Sequence, residues 1–302
     1  MSAIGAHINE WLNLVLGMIM FGLGLSLKKE DFKQLFDQPR SLAIGLVAQM
    51  GLLPLVAALI AYNINVSPEL KVGIMILSVC PGGITSNLIS YFVRGNVALA
   101  VSLTVCNALL SLFSIPILVN LFLEHFLDQG QVIELPFWST MLEIFLVTVF
   151  PAALGMVLRL QLGKRLGSLE RVLNISLPLL LLGVFAFKFL AGQQSGGTNM
   201  MFSDVIMLTP AVIALNLGSM LLGFLVGLPF GLKFKTRITI AVEVGLHNTA
   251  LALLIAGDKL GNPTMEKPAL VYALFSFVLT YGIAWLLVKS QKWLPGTKPN
   301  AA

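Results

Sequence analysis

The chain predicts an all-α polytopic membrane protein with nine transmembrane helices, on three observations. Of its 302 residues 57% are hydrophobic and 11% charged, with a mean hydropathy of +0.90, whereas soluble domains carry about 25% charged residues. Nine apolar runs each reach the roughly 20 residues that a helix needs to cross a bilayer. Lys and Arg fall almost wholly in alternate loops between those runs, as the positive-inside rule requires. No loop is long enough for a separate soluble domain.

The runs are, in order, Asn9–Leu27, Ser41–Asn63, Val72–Val93, Val97–Phe122, Phe137–Leu160, Val172–Gly192, Val205–Phe230, Ile238–Ala256 and Pro268–Val288. The first has no small-residue cleavage site after it and reads as a retained helix, not a signal peptide. With the N-terminus outside, 15 of the 19 Lys and Arg lie inside: Lys28, Lys29, Lys33, Arg40, Arg94, Arg159, Lys164, Arg165, Arg171, Lys233, Lys235, Arg237, Lys289, Lys292 and Lys298. Only Lys71, Lys259 and Lys267 fall outside, and Lys188 lies within a run. The orientation is therefore N-out and C-in. The net charge of +5 is accounted for by those loops, which excludes a nucleic-acid reading. Cys80 and Cys106 lie in apolar runs as small core residues, with no metal-site spacing.

Two runs are interrupted by their own sequence. The third contains Cys80-Pro-Gly-Gly-Ile-Thr-Ser-Asn87, where a proline and two glycines oppose helix. The eighth contains Glu243-Val-Gly-Leu-His-Asn248, a carboxylate and an imidazole four residues apart around a glycine. Runs two to four and seven to nine are triplets of equal size that cross in opposite senses, and the interrupted run is the middle one of each. Paired breaks in two inverted halves point to a transporter binding site. Pro and Gly are also common in membrane helices as packing kinks, but polar residues stand at both of these breaks.

A charge at the depth of Glu243 costs roughly 2.5–3.5 kcal/mol on insertion scales, so it is expected to face a polar cavity, a partner or an ion. Sodium, a hard cation, takes oxygen ligands, which Glu243, Ser86, Asn87, Thr104 and unwound carbonyls supply. Thr104 alone also suits a hydroxyl bonded back to its own helix. Gln49 suits interhelical glue as well as a ligand.

Gly22-Leu-Gly-Leu, Gln49 with Pro54, Pro81-Gly-Gly with Ser86-Asn87, Arg94-Gly-Asn96 followed by Thr104, and Glu243-Val-Gly with Asn248 together resemble the bile acid:sodium symporter family in its nine-helix form. The resemblance covers nearly the whole chain. It implies a single transporter unit over residues 1–302, with two crossing discontinuous helices. A core domain would span about residues 41–124 and 205–290, and a panel domain about 9–27 and 136–193. It implies a first sodium site of Ser86, Asn87, Thr104 and Glu243. A second would use Gln49, Glu243, the backbone carbonyls of Val244 and Leu246, and residue 247. The substrate, an organic anion, would meet Asn248, Ile84 and Thr85.

Two positions depart from the family pattern. His247 stands where Gln is usual, and imidazole nitrogen suits a hard cation less well than an amide oxygen. Ala100 stands where some bacterial relatives carry Ser. A neutral His247 would ligate weakly or orient a water. A protonated one would repel sodium and pair with Glu243. A third arrangement has it turned away onto a backbone carbonyl.

The expected function is sodium-coupled symport of an organic anion, bile acid-like or a smaller carboxylate, by alternating access in a bacterial inner membrane. Sodium is the coupling ion, with no organic cofactor and no obligate protein partner beyond the lipid bilayer. The alternative within transporters is proton coupling through Glu243 and His247. An intramembrane enzyme is the distant alternative: His-Glu-x-x-His and Gly-x-Ser-x-Gly are absent, and only a Ser86–His247 dyad is conceivable. Glu143 and Lys188, in the fifth and sixth runs, are expected to form a structural ion pair; otherwise Lys188 snorkels outward alone.

Overall fold

The computed structural model describes residues 3–27, 37–127, 133–163 and 167–291. Lys28, Lys29, Lys33, Lys164, Arg165, Lys292 and Lys298 of the orientation argument, and the side chain of Arg171, lie outside the described residues. Each predicted run coincides with helix: α1 Ala3–Ser26, α2 Pro39–Asn63, the pair α3 Pro68–Val79 and α4 Ile84–Phe92, α5 Val97–Phe126, α6 Phe137–Leu162, α7 Gly167–Leu190, α8 Phe202–Leu225, the pair α9 Phe234–Gly245 and α10 Thr249–Leu253, and α11 Pro263–Gln291. α10 continues as a π turn, Leu254–Lys259. No strand occurs among the described residues. Among them, six helical stretches are long and apolar enough to cross a membrane, and a seventh if α3 and α4 count as one bent span; Ser176–Leu190 is a shorter apolar helix.

The breaks follow from local chemistry. Pro81 disfavours helix at the residue before it, and Cys80 is extended at φ −92°, ψ 99°. The chain restarts at Ile84, and α3 and α4 meet at 62°. α9 stops at Gly245 without a proline, Leu246 is extended, and Asn248 starts α10 by accepting the Leu251 N–H at 3.0 Å. Two π turns precede prolines that cannot donate to the previous turn. Ala48–Leu52, which carries Gln49, precedes Pro54, and Phe145–Val149 precedes Pro151. Such π turns often mark functional sites.

The α9–α10 stretch is central, with 89% of its most apolar 18-residue window buried, against 17% for α6. α9 packs on α8, α5, α4 and α11. α1 packs along α6 and α7. The Arg94-Gly-Asn motif is a tie between elements. Arg94 takes a left-handed φ of 55°, and Asn96 caps α5 through the Leu99 N–H at 3.2 Å. Its backbone N–H reaches the Thr239 hydroxyl of α9 at 2.7 Å.

The α1–α6 crossing depends on bare backbone, as small-residue contacts between membrane helices do. A Cβ at Gly24 would lie 2.0 Å from the Ala152 carbonyl, and one at Gly155 would lie 2.2 Å from that of Phe21. Gly155→Val is therefore expected to cost about 1–3 kcal/mol, as overpacking does, read as a lowered Tm of purified protein. Gly183→Ala, which has open space, is the control. Equal midpoints for the two variants would refute the crossing.

Candidate functional site

The two breaks meet. The Asn248 N–H donates to the Cys80 carbonyl at 3.1 Å, and a Cβ at Gly82 would lie 2.6 Å from the Leu246 carbonyl. Gly82 thus permits an approach of backbone to backbone that no other residue allows. The predicted first group is brought together around this point. Thr104 donates to Glu243 Oε2 at 3.1 Å and lies 3.3 Å from Asn87 Oδ1. The Ser86 hydroxyl also lies against the Glu243 carboxylate, with its own bond to the Gly83 carbonyl at 2.8 Å. Thr104 therefore joins α5 to α4 and α9, and does not bond back to its own helix as its type alone allowed.

Glu243 is 2% exposed. Its second oxygen, Oε1, has no hydrogen-bond partner among the described residues. The same holds for both amide atoms of Gln49, both ring nitrogens of His247 and Asn87 Nδ2. Buried polar atoms are nearly always satisfied, and each orphan costs about 1–3 kcal/mol. The π turn bearing Gln49 packs against α9, which puts these orphans around one region. Val244 and Leu246 are buried beside them. Ile84 and Asn248 are half-buried and Thr85 is exposed, whereas of the residues expected at the ion only Asn87 is half-buried and the rest are buried. Ala100 is fully buried.

Of the three arrangements expected of His247, the two that involve a protein group are not taken: it neither pairs with Glu243 nor bonds a carbonyl among the described residues. Its ring instead lies 5.0 Å from that of Tyr272, tilted by 30°. Tyr272 went unnoticed in the sequence, as did Asn216. Asn216 Nδ2 donates to the Gly245 carbonyl at 2.8 Å and lies 3.0 Å from the Tyr272 hydroxyl and 2.8 Å from that of Thr280. Asn216 is a lone amide in an apolar run, the signal that singled out Gln49, and could have been found by it.

The expected Glu143–Lys188 pair is corrected. Lys188 Nζ lies 2.6 Å from Glu266 Oε1, with side chains 3% and 2% exposed, and Glu143 pairs with Lys259. Lys188 is therefore buried and paired, so it does not snorkel outward alone. Two causes separate the expected partners. α1 packs along both α6 and α7, which touch little among the described residues. Helix also extends to Lys259 and restarts at Pro263, so Glu266, expected in a loop, is a turn inside α11. Asn13 of α1 completes the group, its amide 3.3 Å from Glu143 and 3.4 Å from Asp258.

Buried polar side chains gathered where two interrupted helices meet, inside an otherwise apolar bundle, define a membrane transport protein. The chain belongs to the sodium bile acid symporter family, whose model matches residues 13–196. It is 29% identical over 269 residues to the uncharacterized sodium-dependent transporter YocS of Bacillus subtilis (strain 168), covering 89% of this chain and 80% of that one. It is 24% identical over 276 residues to the human ileal sodium/bile acid cotransporter, covering 90% and 74%. With the probable chloroplastic sodium/metabolite cotransporter BASS1 of Arabidopsis thaliana it shares 26% over 272 residues, 89% of this chain and 65% of that protein. The family and these relatives are transporters, not enzymes, which removes the Ser86–His247 dyad from consideration.

Proposed function

We propose that the chain imports an organic anion together with sodium by alternating access. The observation that carries this is the set of orphaned buried acceptors at the crossing, Glu243 Oε1 and Gln49 Oε1 above all. A hard cation satisfies such oxygens, and the relatives are named as a sodium-dependent transporter and a sodium/bile acid cotransporter. Ser86, Asn87, Thr104 and Glu243 would hold one sodium. Gln49, Glu243, His247 and the carbonyls of Val244 and Leu246 would hold another. Residues 41–124 and 205–290 would form the core and residues 9–27 and 136–193 the panel, in nine crossings with the N-terminus outside a bacterial inner membrane. Each positive charge carried inward would gain about 2.3 kcal/mol per 100 mV. The substrate carboxylate or sulfonate would lie by Ile84, Thr85 and Asn248, where the N-terminus of α4 favours negative charge. Uptake of a labelled bile acid and of a small labelled carboxylate, with sodium replaced by choline at fixed pH, tests the reading. Uptake of either that is indifferent to the replacement overturns sodium coupling for it.

Proton coupling through Glu243 and His247 is kept as the second reading because both imidazole nitrogens are orphaned. An imidazole nitrogen suits a hard cation less well than an amide oxygen. His247→Gln is therefore expected to keep transport and tighten apparent sodium affinity. Sodium titrations of uptake on both proteins check it. An unchanged affinity would take His247 out of the site. Loss of transport with a proton requirement in its place would favour the proton reading.

A further inference from the structure

We propose that Asn216, Tyr272 and Thr280 are positioning residues, a clamp from α8 and α11 that fixes the backbone and the His247 ring at the second break and so sets the affinity of the ion site. The affinity part rests on the sodium reading above; the clamp itself does not.

The last carbonyls of any helix lack an intrahelical donor, and in an apolar core each needs one from elsewhere. α9 ends at Gly245 in the most buried part of the bundle. There the Gly245 carbonyl accepts from Asn216 Nδ2 at 2.8 Å and also from the Tyr272 hydroxyl. Asn216 is 1% exposed, Thr280 0% and Tyr272 1%. Polar side chains that deep in a membrane protein are costly and mark functional positions. The Asn216 amide has two hydrogens and three oxygen neighbours, Gly245, Tyr272 and Thr280. Thr280 thus steadies the Asn216–Tyr272 arrangement without touching the break.

Tyr272 is the residue that reaches both sides of the break. Its hydroxyl holds the carbonyl just before it, and its ring faces the imidazole just after it at 5.0 Å. The two peptides between them carry the Leu246 carbonyl, which lies against Gly82. Gly245 has no slack of its own, since a Cβ there would be 2.4 Å from Met220 Cγ. With the carbonyl of Gly245 taken, its neighbours Val244 and Leu246 are held in one setting relative to Glu243. Preorganised ligands bind better because less order is lost on binding.

Tyr272→Phe keeps the ring beside His247 and removes only the hydroxyl; Thr280→Val removes the outer support. Two readouts are taken on purified full-length protein. The first is hydrogen exchange of the 244–248 amides in potassium chloride without sodium. The second is the apparent sodium dissociation constant, from thermal stabilisation by sodium chloride at constant ionic strength. Tyr272→Phe is expected to speed exchange at 244–248 and to weaken sodium binding by about three- to tenfold, the worth of one hydrogen bond. Thr280→Val should show the same pattern more weakly. Unchanged exchange in Tyr272→Phe overturns the clamp. Faster exchange with an unchanged sodium constant, or a lowered Tm alone, also overturns it, because the three residues would then be structural only. A wild type that sodium does not stabilise sinks the sodium reading instead, and faster exchange in that case upholds the clamp on the break. Should Tyr272→Phe fail to fold, Thr280→Val decides by the same readouts.

Discussion

Glu243→Ala is expected to abolish sodium-driven uptake while the protein remains folded in the membrane. The carboxylate stands in both proposed sodium sites, and one of its oxygens lacks a protein partner among the described residues. At 4 Å a unit charge pair is worth about 4 kcal/mol at an effective dielectric of 20. Losing it weakens sodium by roughly a thousandfold. Folding should survive, because a buried unpaired charge is costly and its removal relieves the bundle. Thr104 loses one acceptor but keeps Asn87 Oδ1. Glu243→Gln, which preserves size, separates charge from shape. Sodium-dependent uptake in Glu243→Ala, or sodium stabilisation of Glu243→Gln equal to wild type, would sink the assignment.

Lys188→Ala is expected to damage stability instead of ion binding. The Lys188–Glu266 pair is almost wholly buried, and breaking such a pair from one side costs about 3–5 kcal/mol because the other charge stays behind. At about 2–4 °C per kcal/mol, the value for larger domains, Tm falls by roughly 10 °C. Glu266→Ala should cost as much. Lys188→Met combined with Glu266→Leu should recover most of the loss, since apolar replacement of both partners is often neutral. Gly257→Ala reaches the same pair differently, as a Cβ there would collide with Glu266 Oε1. Thermal unfolding of the single and double variants checks the coupling. Full additivity of the two single losses in Lys188→Ala combined with Glu266→Ala would mean that the two groups do not interact.

The helices were legible because apolar runs of span length have few alternatives in a chain with 11% charge. Both breaks were legible for a related reason: Pro81 and the Glu243–Asn248 cluster contradict the runs that hold them. The gathering of Ser86, Asn87 and Thr104 around Glu243 was expected from resemblance, and hydrogen bonds now connect them. What sequence could not give is distance between helices. Glu143 and Lys188 are on consecutive helices, yet α1 packs along both. Glu266 and Lys259 looked like loop residues because hydropathy does not define helix ends. Tyr272 carries no mark of its own in an apolar run; only the Gly245 carbonyl it meets gives it a role.

The bond from Asn248 to Cys80 also has a meaning for biosynthesis. Its partners are separated by more than half the chain, and 155 residues lie between Asn87 and Glu243 by their numbering. At about 5–20 residues per second, the ribosome needs roughly 8–30 s to cover that interval. When it begins α2 and α3 are already made, and α5 to α8 follow while Gln49 and Asn87 still wait for α9. Insertion of the helices and completion of the crossing are therefore separate events in time. A chain cut short before Asn248 would carry most of its spans and only half of the crossing.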